Sequence, residues 1–218
     1  MTPPMQQPTR HPSEDLILDY ARGALEAGRA LVMSAHLGAC PACHAAARFA
    51  EAIGGALIEE LEPASLEPDA LARALARLDT PPTPPAATQR PPDDWIRVPP
   101  EVLAAARRHK RWAAPGVWVA PVTRDRRTDA RSYLLGIGRG IAVPRHTHRG
   151  SEFVCVLKGS FEDRGVVYGP GDFAESDESV EHRPHVTRGG ECVCLAAADH
   201  PLVPRELIGR LFQPLVRI

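Results

Sequence analysis

The sequence has few aromatic residues, almost no net charge and no long hydrophobic run. Aromatic side chains make up 5% of the 218 residues, which leaves little for stacking on nucleic-acid bases. The 26 basic residues are balanced by 27 acidic ones, so a net charge of −1 attracts neither nucleic acid nor an anionic membrane. No stretch reaches the roughly 18 consecutive apolar residues of a membrane helix, and the first residues lack a secretory signal pattern. We therefore expect a cytoplasmic protein without a disposition to bind DNA.

Cysteine is also scarce, and its number is odd. Five cysteines do not form the paired framework of a secreted disulfide protein, so we expect a reducing compartment and metal or redox chemistry. Two of them form the sequence CPAC at Cys40 and Cys43. Cys192 and Cys194 are expected on one face of a strand, where residues two apart bridge poorly, so the alternative is a strained or an intermolecular disulfide. Cys155 is expected in the core.

The first part of the sequence has the pattern of helices. From residue 13 to about residue 79 it is rich in Ala, Leu, Glu and Arg, and its apolar residues recur at helical spacing. Ser13 is a candidate N-cap, Gly28 is expected to break or bend the segment, and Pro41 suits the first position of a helix. A further short helix is predicted over residues 69–78.

The pattern of the sequence changes from helical to strand-like after a proline-rich stretch. We assign residues 1–80 to a helical domain, 81–100 to a semi-extended linker and 101–218 to a domain of short strands separated by turns. Many short strands predict a small β-barrel or jelly roll, so the fold class is α+β with two domains. The proline content of the linker predicts that the two modules are tethered flexibly.

Two histidines and two cysteines in the helical part have the spacing of a structural metal site. Intervals of twenty-four, three and two residues separate His11, His36, Cys40 and Cys43. Zinc prefers a closed tetrahedron of such nitrogen and sulfur ligands. If His36 ends one helix and CPAC opens the next, both sulfurs point back at the imidazole. We expect these four residues to bind zinc.

Each of these residues alone has a plainer explanation. The cysteines could be small core residues, His36 a helix-cap residue and His11 part of a tail. His44 is a competing ligand, but it faces away from Cys43 by a helical step. A redox CxxC pair usually follows a strand in a βαβ unit, and no such unit is predicted here. The four residues taken together favour the metal.

A second set of metal ligands matches the first signature of the cupin family. From Gly140 the pattern is glycine, five residues, His-x-His, three residues, glutamate, six residues and glycine. The candidate ligands in this segment are His146, His148 and Glu152. Two histidines two residues apart lie on one face of a strand, so both enter the predicted barrel.

The fourth ligand of this set comes from the later segment SVEHRPH. We favour His182, which lies where the cupin pattern has its final histidine, over the alternative His185. Three imidazoles and a carboxylate suit zinc, iron, manganese or nickel, with positions left open for water or another ligand.

The two predicted metal sites, joined by a proline-rich linker, resemble the ChrR-type zinc anti-sigma factors over nearly the whole chain. The His-His-Cys-Cys set matches the zinc anti-sigma motif, and the second set matches the cupin ligands of that family. The resemblance implies a small helical bundle and a cupin barrel, with zinc in the first site and zinc or another divalent metal in the second. It also implies that the helical domain binds an extracytoplasmic-function sigma factor, and that the cupin senses singlet oxygen or organic hydroperoxide.

A cupin metalloenzyme, such as a dioxygenase or isomerase, is the alternative function. The helical domain would then be an accessory, and the barrel would need groups that position a substrate, for which the sequence offers Arg145, Arg149 and Glu175. A third alternative is a transcriptional regulator that binds a small molecule, but the sequence contains no helix-turn-helix or basic recognition helix.

Overall fold

The computed structural model describes residues 7–78, 92, 94–125, 127–201 and 203–204, which form a helical part followed by a barrel of short strands. The helices in these ranges are α1 (Glu14–Ala21), α2 (Ala27–Ala39), α3 (Pro41–Glu59), α4 (Ala70–Leu78) and α5 (Pro100–Arg108). The strands are β1 (Arg111–Ala114), β2 (Val117–Arg124), β3 (Arg131–Ile137), β4 (His146–Thr147), β5 (Glu152–Lys158), β6 (Phe161–Asp163), β7 (Val166–Tyr168), β8 (Phe173–Ser176), β9 (Glu181–His182), β10 (His185–Val186), β11 (Cys192–Ala198) and β12 (Val203–Pro204). The predicted α+β class is confirmed.

The strands form one large sheet and two small ones. The large sheet has the order β1-β2-β3-β11-β5-β8, and the small sheets have the orders β10-β6-β7 and β12-β4-β9. All of these pairs are antiparallel. Residues of the large sheet pack against Phe161, Tyr168 and Val186 of the β10-β6-β7 sheet to form the barrel interior.

The central strand β11 is covered on both faces. Cys192 and Cys194 point into the barrel interior, whereas Val193 and Leu195 belong to a core shared with the helices. Side chains of a strand alternate between its two faces, so a strand that is buried throughout needs a layer on each side. The helical part provides the outer layer, and it shares a core with the barrel rather than being joined to it by a tether alone.

Gly28 does not break the helical segment. It is the second residue of α2 and is buried against the barrel, while the break lies between Ala21 and Ala27. A Cβ atom at Gly28 would lie 3.0 Å from the Ser132 Cβ and 3.1 Å from the Thr123 Oγ1. The glycine therefore lets α2 approach β2 and β3 closely, and a break at this position is a wrong prediction.

Other helix signals agree with the structure. Ser13 is the N-cap of α1, although its side chain makes no capping hydrogen bond, and Pro41 is the first residue of α3. The predicted short helix appears as α4. Helix α5 was not predicted; it lies at the end of the proline-rich stretch and buries Val102 and Leu103.

The end of the proline-rich stretch is packed on the barrel. Ile96 and Val98 are buried, and the Ile96 backbone N–H donates a hydrogen bond of 2.9 Å to the Leu157 carbonyl oxygen. Residues 79–91 and 93 of the predicted linker lie outside the described residues. The domain boundaries therefore stay a prediction.

Two candidate metal centres

Four side chains converge at the junction of α2 and α3. The ligand atoms of His11, His36, Cys40 and Cys43 all lie within 4.8 Å of one another. The Nδ1 of His11 lies 3.5 Å from the sulfur of Cys40 and 3.4 Å from the sulfur of Cys43. A zinc ion bound tetrahedrally at about 2.0 Å to nitrogen and about 2.3 Å to sulfur would hold the nitrogen and the sulfur about 3.5 Å apart. The predicted set is thus brought together at metal-ligand distances, and we call it the helical cluster.

The sharp turn between α2 and α3 creates the helical cluster. Cys40 ends α2 and begins α3 with an extended backbone, and the two helix axes meet at 119°. Pro41 lacks an N–H and has a fixed φ, so it starts α3 without losing a hydrogen bond. The sulfurs of Cys40 and Cys43 thereby face His36 in the last turn of α2.

The ring of His36 is oriented for an ion. Its Nδ1 lies 2.7 Å from the Gly171 carbonyl oxygen, which can only accept, so Nδ1 carries the proton and Nε2 has the free lone pair. Nε2 is buried and has no hydrogen-bond partner within the described part of the chain. Burial lowers the pKa of His36, which keeps the ring neutral and able to bind a cation. An unpartnered buried nitrogen of this kind fits a metal ligand.

The thiol of Cys43 needs a cation to ionise. Burial, followed by the hydrogen bond with Cys40, raises the pKa of Cys43 to about 12. Cys43 therefore keeps its proton unless a positive charge compensates the thiolate. His44 is exposed on the outer side of α3 and does not join the cluster.

A second cluster lies inside the barrel. The ligand atoms of His146, His148, Glu152 and His182 lie within 4.8 Å of one another, and all four residues are buried. Strands β4 and β9 pair His146 directly with His182, and β5 begins at Glu152. The Nε2 of His182 lies 2.9 Å from that of His146 and 3.0 Å from that of His148. We call this set the barrel cluster.

The histidine rings of the barrel cluster are close enough for one ion to bind them. Two nitrogens at about 2.1 Å from the same ion lie about 3.0 to 3.4 Å apart. The distances of 2.9 and 3.0 Å between the Nε2 atoms are comparable. Burial lowers the pKa of both His146 and His148 to about 4, so their rings are neutral ligands at neutral pH. Burial also raises the pKa of Glu152 to about 7, which a bound cation would reverse.

Three groups orient the ligands of the barrel cluster. Asp163 accepts a hydrogen bond of 2.8 Å from the Nδ1 of His182, and the Pro144 carbonyl oxygen accepts one of 2.9 Å from the Nδ1 of His146. The Tyr133 hydroxyl donates a hydrogen bond of 2.9 Å to Glu152. Such partners fix the ring that faces an ion. Neither Tyr133 nor Asp163 carries a spacing signal in the sequence, so sequence reasoning missed both.

The structure separates the two candidates for the fourth barrel ligand. His182 is buried in the barrel cluster, whereas His185 is half exposed and lies 3.6 Å from Glu162. Of the residues nominated to position a substrate, Glu175 accepts a hydrogen bond of 3.0 Å from the Ser13 backbone N–H on the helical side of the sheet, and Arg145 pairs with Glu181 outside the barrel cluster. Arg149 lies beside a separate surface depression.

A cavity of about 80 Å³ leads to the barrel cluster. Most of its lining is apolar, and Cys192 and Cys194 contribute to it with their sulfurs 3.7 Å apart. Both cysteines are free and face the same layer, as predicted. Cys155 is buried on the opposite side of the sheet, in the core shared with the helices.

An ion pair connects α2 to the loop of the barrel cluster. The Arg29 guanidinium donates to Oδ1 of Asp199, and Oδ2 of Asp199 accepts a hydrogen bond of 2.9 Å from the Ser151 backbone N–H. Ser151 lies between the ligands His148 and Glu152. Asp199 therefore contacts both the helix of the helical cluster and the loop of the barrel cluster.

No single helix in the described ranges is long and apolar enough to cross a membrane; α2 and α3 pass that test only as a bent pair. Residues 101–201 match the ChrR cupin-like domain family. The anti-sigma-E factor ChrR of Cereibacter sphaeroides is 36% identical over 208 residues, which cover 95% of this chain and 98% of that protein.

The fold has a solved counterpart. A structure of Rhodobacter sphaeroides SigE in complex with the anti-sigma ChrR includes a chain that is 35% identical to this one. The two match with a TM-score of 0.75 over 88% of this chain and 99% of that chain. With a helical part, a cupin barrel and this similarity along nearly its full length, the chain belongs to the ChrR family of anti-sigma factors.

Proposed function

We propose that this chain binds an extracytoplasmic-function sigma factor through its helical part and keeps it from RNA polymerase. The related chain of Rhodobacter sphaeroides is described in complex with SigE, which supports a sigma factor as the partner. Family membership favours this regulatory role over a cupin metalloenzyme. Because sigma factors act on core RNA polymerase, the proposed place of action is the cytoplasm.

The observation that carries this proposal is an exposed apolar face on α3. Phe49, Ile53 and Leu57 are spaced four residues apart and therefore share one face of the helix. Their exposed fractions are 70%, 50% and 60%, and α3 buries only Cys43 and Ala47. A contiguous exposed apolar surface on a soluble domain marks a site of protein interaction.

Helix α4 presents a second set of exposed apolar residues. Leu71, Leu75 and Leu78 are exposed, and α4 has no buried residue. We call the exposed apolar residues of these two helices the α3–α4 apolar face. Amphipathic helices commonly bind a protein partner through such an apolar stripe, and here the partner is the sigma factor.

The helical cluster would hold a zinc ion that fixes this face. Zinc suits a closed set of two nitrogens and two sulfurs, and the ion would join the N-terminal segment, α2 and α3 at the sharp turn. The ion would thereby set the direction in which α3 leaves the barrel. The barrel cluster would hold zinc or another divalent metal, because three imidazoles and a carboxylate accept several such ions.

Substitutions on the α3–α4 apolar face test the proposed partner. We expect Phe49→Glu and Leu57→Glu to abolish co-purification with an extracytoplasmic-function sigma factor from the same organism, since each buries a charge in the interface. Trp112→Glu is the matched control, because Trp112 is 68% exposed on the barrel strand β1. Rhodobacter sphaeroides SigE provides a second probe. Unchanged binding by both α3 variants would contradict the proposed surface.

We further propose that the barrel senses an oxidant, either singlet oxygen or an organic hydroperoxide. A cavity that reaches a histidine-rich metal cluster and two thiols supports this role, because imidazoles and thiolates are targets of oxidation. Treatment of the purified sigma complex with tert-butyl hydroperoxide is expected to release the sigma factor. Release that persists in a His146→Ala variant would place the sensing step outside the barrel cluster.

A further inference from the structure

The barrel turn Gly169–Asp172 contacts two separate segments of the helical cluster. One contact is the hydrogen bond from the His36 Nδ1 to the Gly171 carbonyl oxygen. It comes from the barrel and not from the helices, although His36 lies on α2. A hydrogen bond to the far nitrogen of a ligating histidine fixes both its tautomer and its ring direction.

The second contact holds the N-terminal segment that carries His11. The backbone N–H groups of Thr9 and Arg10 donate to the Oδ1 of Asp172 at 2.6 and 2.9 Å. The Phe173 N–H donates in turn to the Arg10 carbonyl oxygen at 3.1 Å. His11 follows Arg10 directly, so the turn determines where its ring enters the cluster.

The turn is built to approach both segments closely. Gly171 has a φ of +87°, and a Cβ atom on it would lie 2.7 Å from Cγ of Pro8 and 3.0 Å from Cβ of Ala39. Only glycine fits this backbone conformation between the N-terminal segment and the end of α2. Asp172 is fixed as well, because its Oδ2 accepts a hydrogen bond of 2.7 Å from the Gly169 N–H.

We infer that the turn Gly169–Asp172 positions both histidine ligands of the helical cluster and thereby sets how tightly that cluster holds its ion. Cys40 and Cys43 are placed by α3 itself, whereas His11 and His36 depend on contacts with the barrel. This inference rests on the proposed function in one respect, namely that the helical cluster binds a metal. It makes the barrel a determinant of metal affinity at a site outside it.

The variant Asp172→Asn tests the role of the turn. The carboxylate accepts hydrogen bonds at both oxygens, but an amide has one acceptor, so either orientation sets its NH₂ against a backbone N–H. In the full-length chain loaded with cobalt(II), thiolate-to-cobalt absorption reports the helical cluster alone, because the barrel cluster contains no sulfur ligand. We expect chelator competition to show a loss of affinity of about tenfold or more at the helical cluster.

Two further variants make this test specific. Thr9→Pro removes the backbone N–H and the hydroxyl that Thr9 directs at Oδ1 of Asp172, without changing the barrel, and it is expected to weaken the same site. Asp125→Asn is the matched control, since the Asp125 carboxylate accepts a hydrogen bond of 2.7 Å from the Arg127 backbone N–H in a different turn of the barrel. Cobalt binding at the barrel cluster, measured in the same samples, shows that each variant is folded.

The outcomes separate this inference from the proposed function. Affinity at the helical cluster that stays within about twofold of the wild-type value in both Asp172→Asn and Thr9→Pro would overturn the role of the turn. Equal losses at both clusters would also overturn it, since they would indicate general destabilisation. Absence of thiolate-to-cobalt absorption in the wild-type chain would instead overturn the proposed metal at the helical cluster, and this inference with it.

Discussion

The side chains of Glu152 and Phe153, consecutive residues of β5, enter opposite sides of the large sheet. Glu152 belongs to the barrel cluster. Phe153 packs against Phe173 and lies under the Arg29 guanidinium, 4.9 Å from its ring centroid. The first two residues of β5 thus contact the barrel cluster on one side and α2 on the other, so a shift of this strand would displace groups in both layers.

Asp163→Asn is expected to weaken metal binding at the barrel cluster by about tenfold or more. The Asp163 carboxylate accepts a hydrogen bond from the Nδ1 of His182 and thereby orients that ring. Glu162→Gln is the control, since Glu162 contacts His185 outside the cluster. Isothermal titration of the metal-free protein measures both. Equal affinities in the two variants would show that Asp163 has no orienting role.

His182 and His185 are expected to differ in their importance for metal binding at the barrel cluster. His182→Ala removes a ligand at the centre of the barrel cluster, so we expect the barrel ion to be lost on dialysis. His185→Ala should retain the ion, because that ring is half exposed. Metal analysis after dialysis checks this, and retention by the His182 variant would argue against it as a ligand.

Replacement of both Cys40 and Cys43 by serine is expected to remove one metal equivalent per chain, because serine is a poor zinc ligand. Sigma binding should be lost as well, since the sharp turn between α2 and α3 would no longer be fixed. Cys155→Ala serves as the control, because its thiol lies outside both clusters. Full metal content in the double variant would contradict the helical cluster as a metal site.

A double-mutant cycle on Arg29 and Asp199 is expected to give a coupling of about 1 kcal/mol in the free energy of unfolding. This pair is partly buried, with exposed fractions of 25% and 31% for the two side chains. The exposed pair Arg22 and Asp19 on α1 should give about 0.3 kcal/mol. Urea unfolding measures both cycles. Equal coupling free energies would show that the Arg29–Asp199 pair stabilises the fold no more than an exposed pair does.

Alanine substitutions at two helical glycines are expected to have opposite effects. Gly55→Ala should raise the free energy of unfolding by about 0.5–1 kcal/mol, because alanine favours a helix and the added Cβ meets no atom within 4 Å among the described residues. Gly28→Ala should lower it, since the Cβ would press on Ser132 and Thr123. Thermal unfolding of both variants checks the signs.

Sequence reasoning predicts both clusters of candidate ligands because ligand chemistry leaves short, regular spacings. The CPAC sequence and the His-x-His pattern each place candidate ligands within a few residues of one another. Such short spacings can be recognised without knowing the rest of the fold. His11 joins the first set through its residue type and its place in the chain just before the first helix, although it lies twenty-four residues from the next candidate ligand. Strand β9 brings His182 opposite His146 in the barrel cluster, whereas His185, which the sequence spacing leaves as an alternative, lies outside that cluster.

The contacts between the helices and the barrel could not be predicted from spacing. Gly28 reads as a helix breaker in the sequence, yet it is a point of close packing between α2 and the sheet. Asp163 and Asp172 act on residues far along the chain, at separations of 19 and about 160 residues. Partners at such distances are set by the tertiary fold, which local patterns do not encode.

Strand β11 has consequences for how this protein can change over evolution. Its odd-numbered residues Val193 and Leu195 belong to the surface on which α2 packs, while its even-numbered residues Cys192 and Cys194 line the cavity. Substitutions at the even-numbered positions can therefore change the shape and polarity of the cavity without changing the surface on which α2 packs. One seven-residue segment therefore carries two surfaces that can be substituted separately, one toward the cavity and one toward α2.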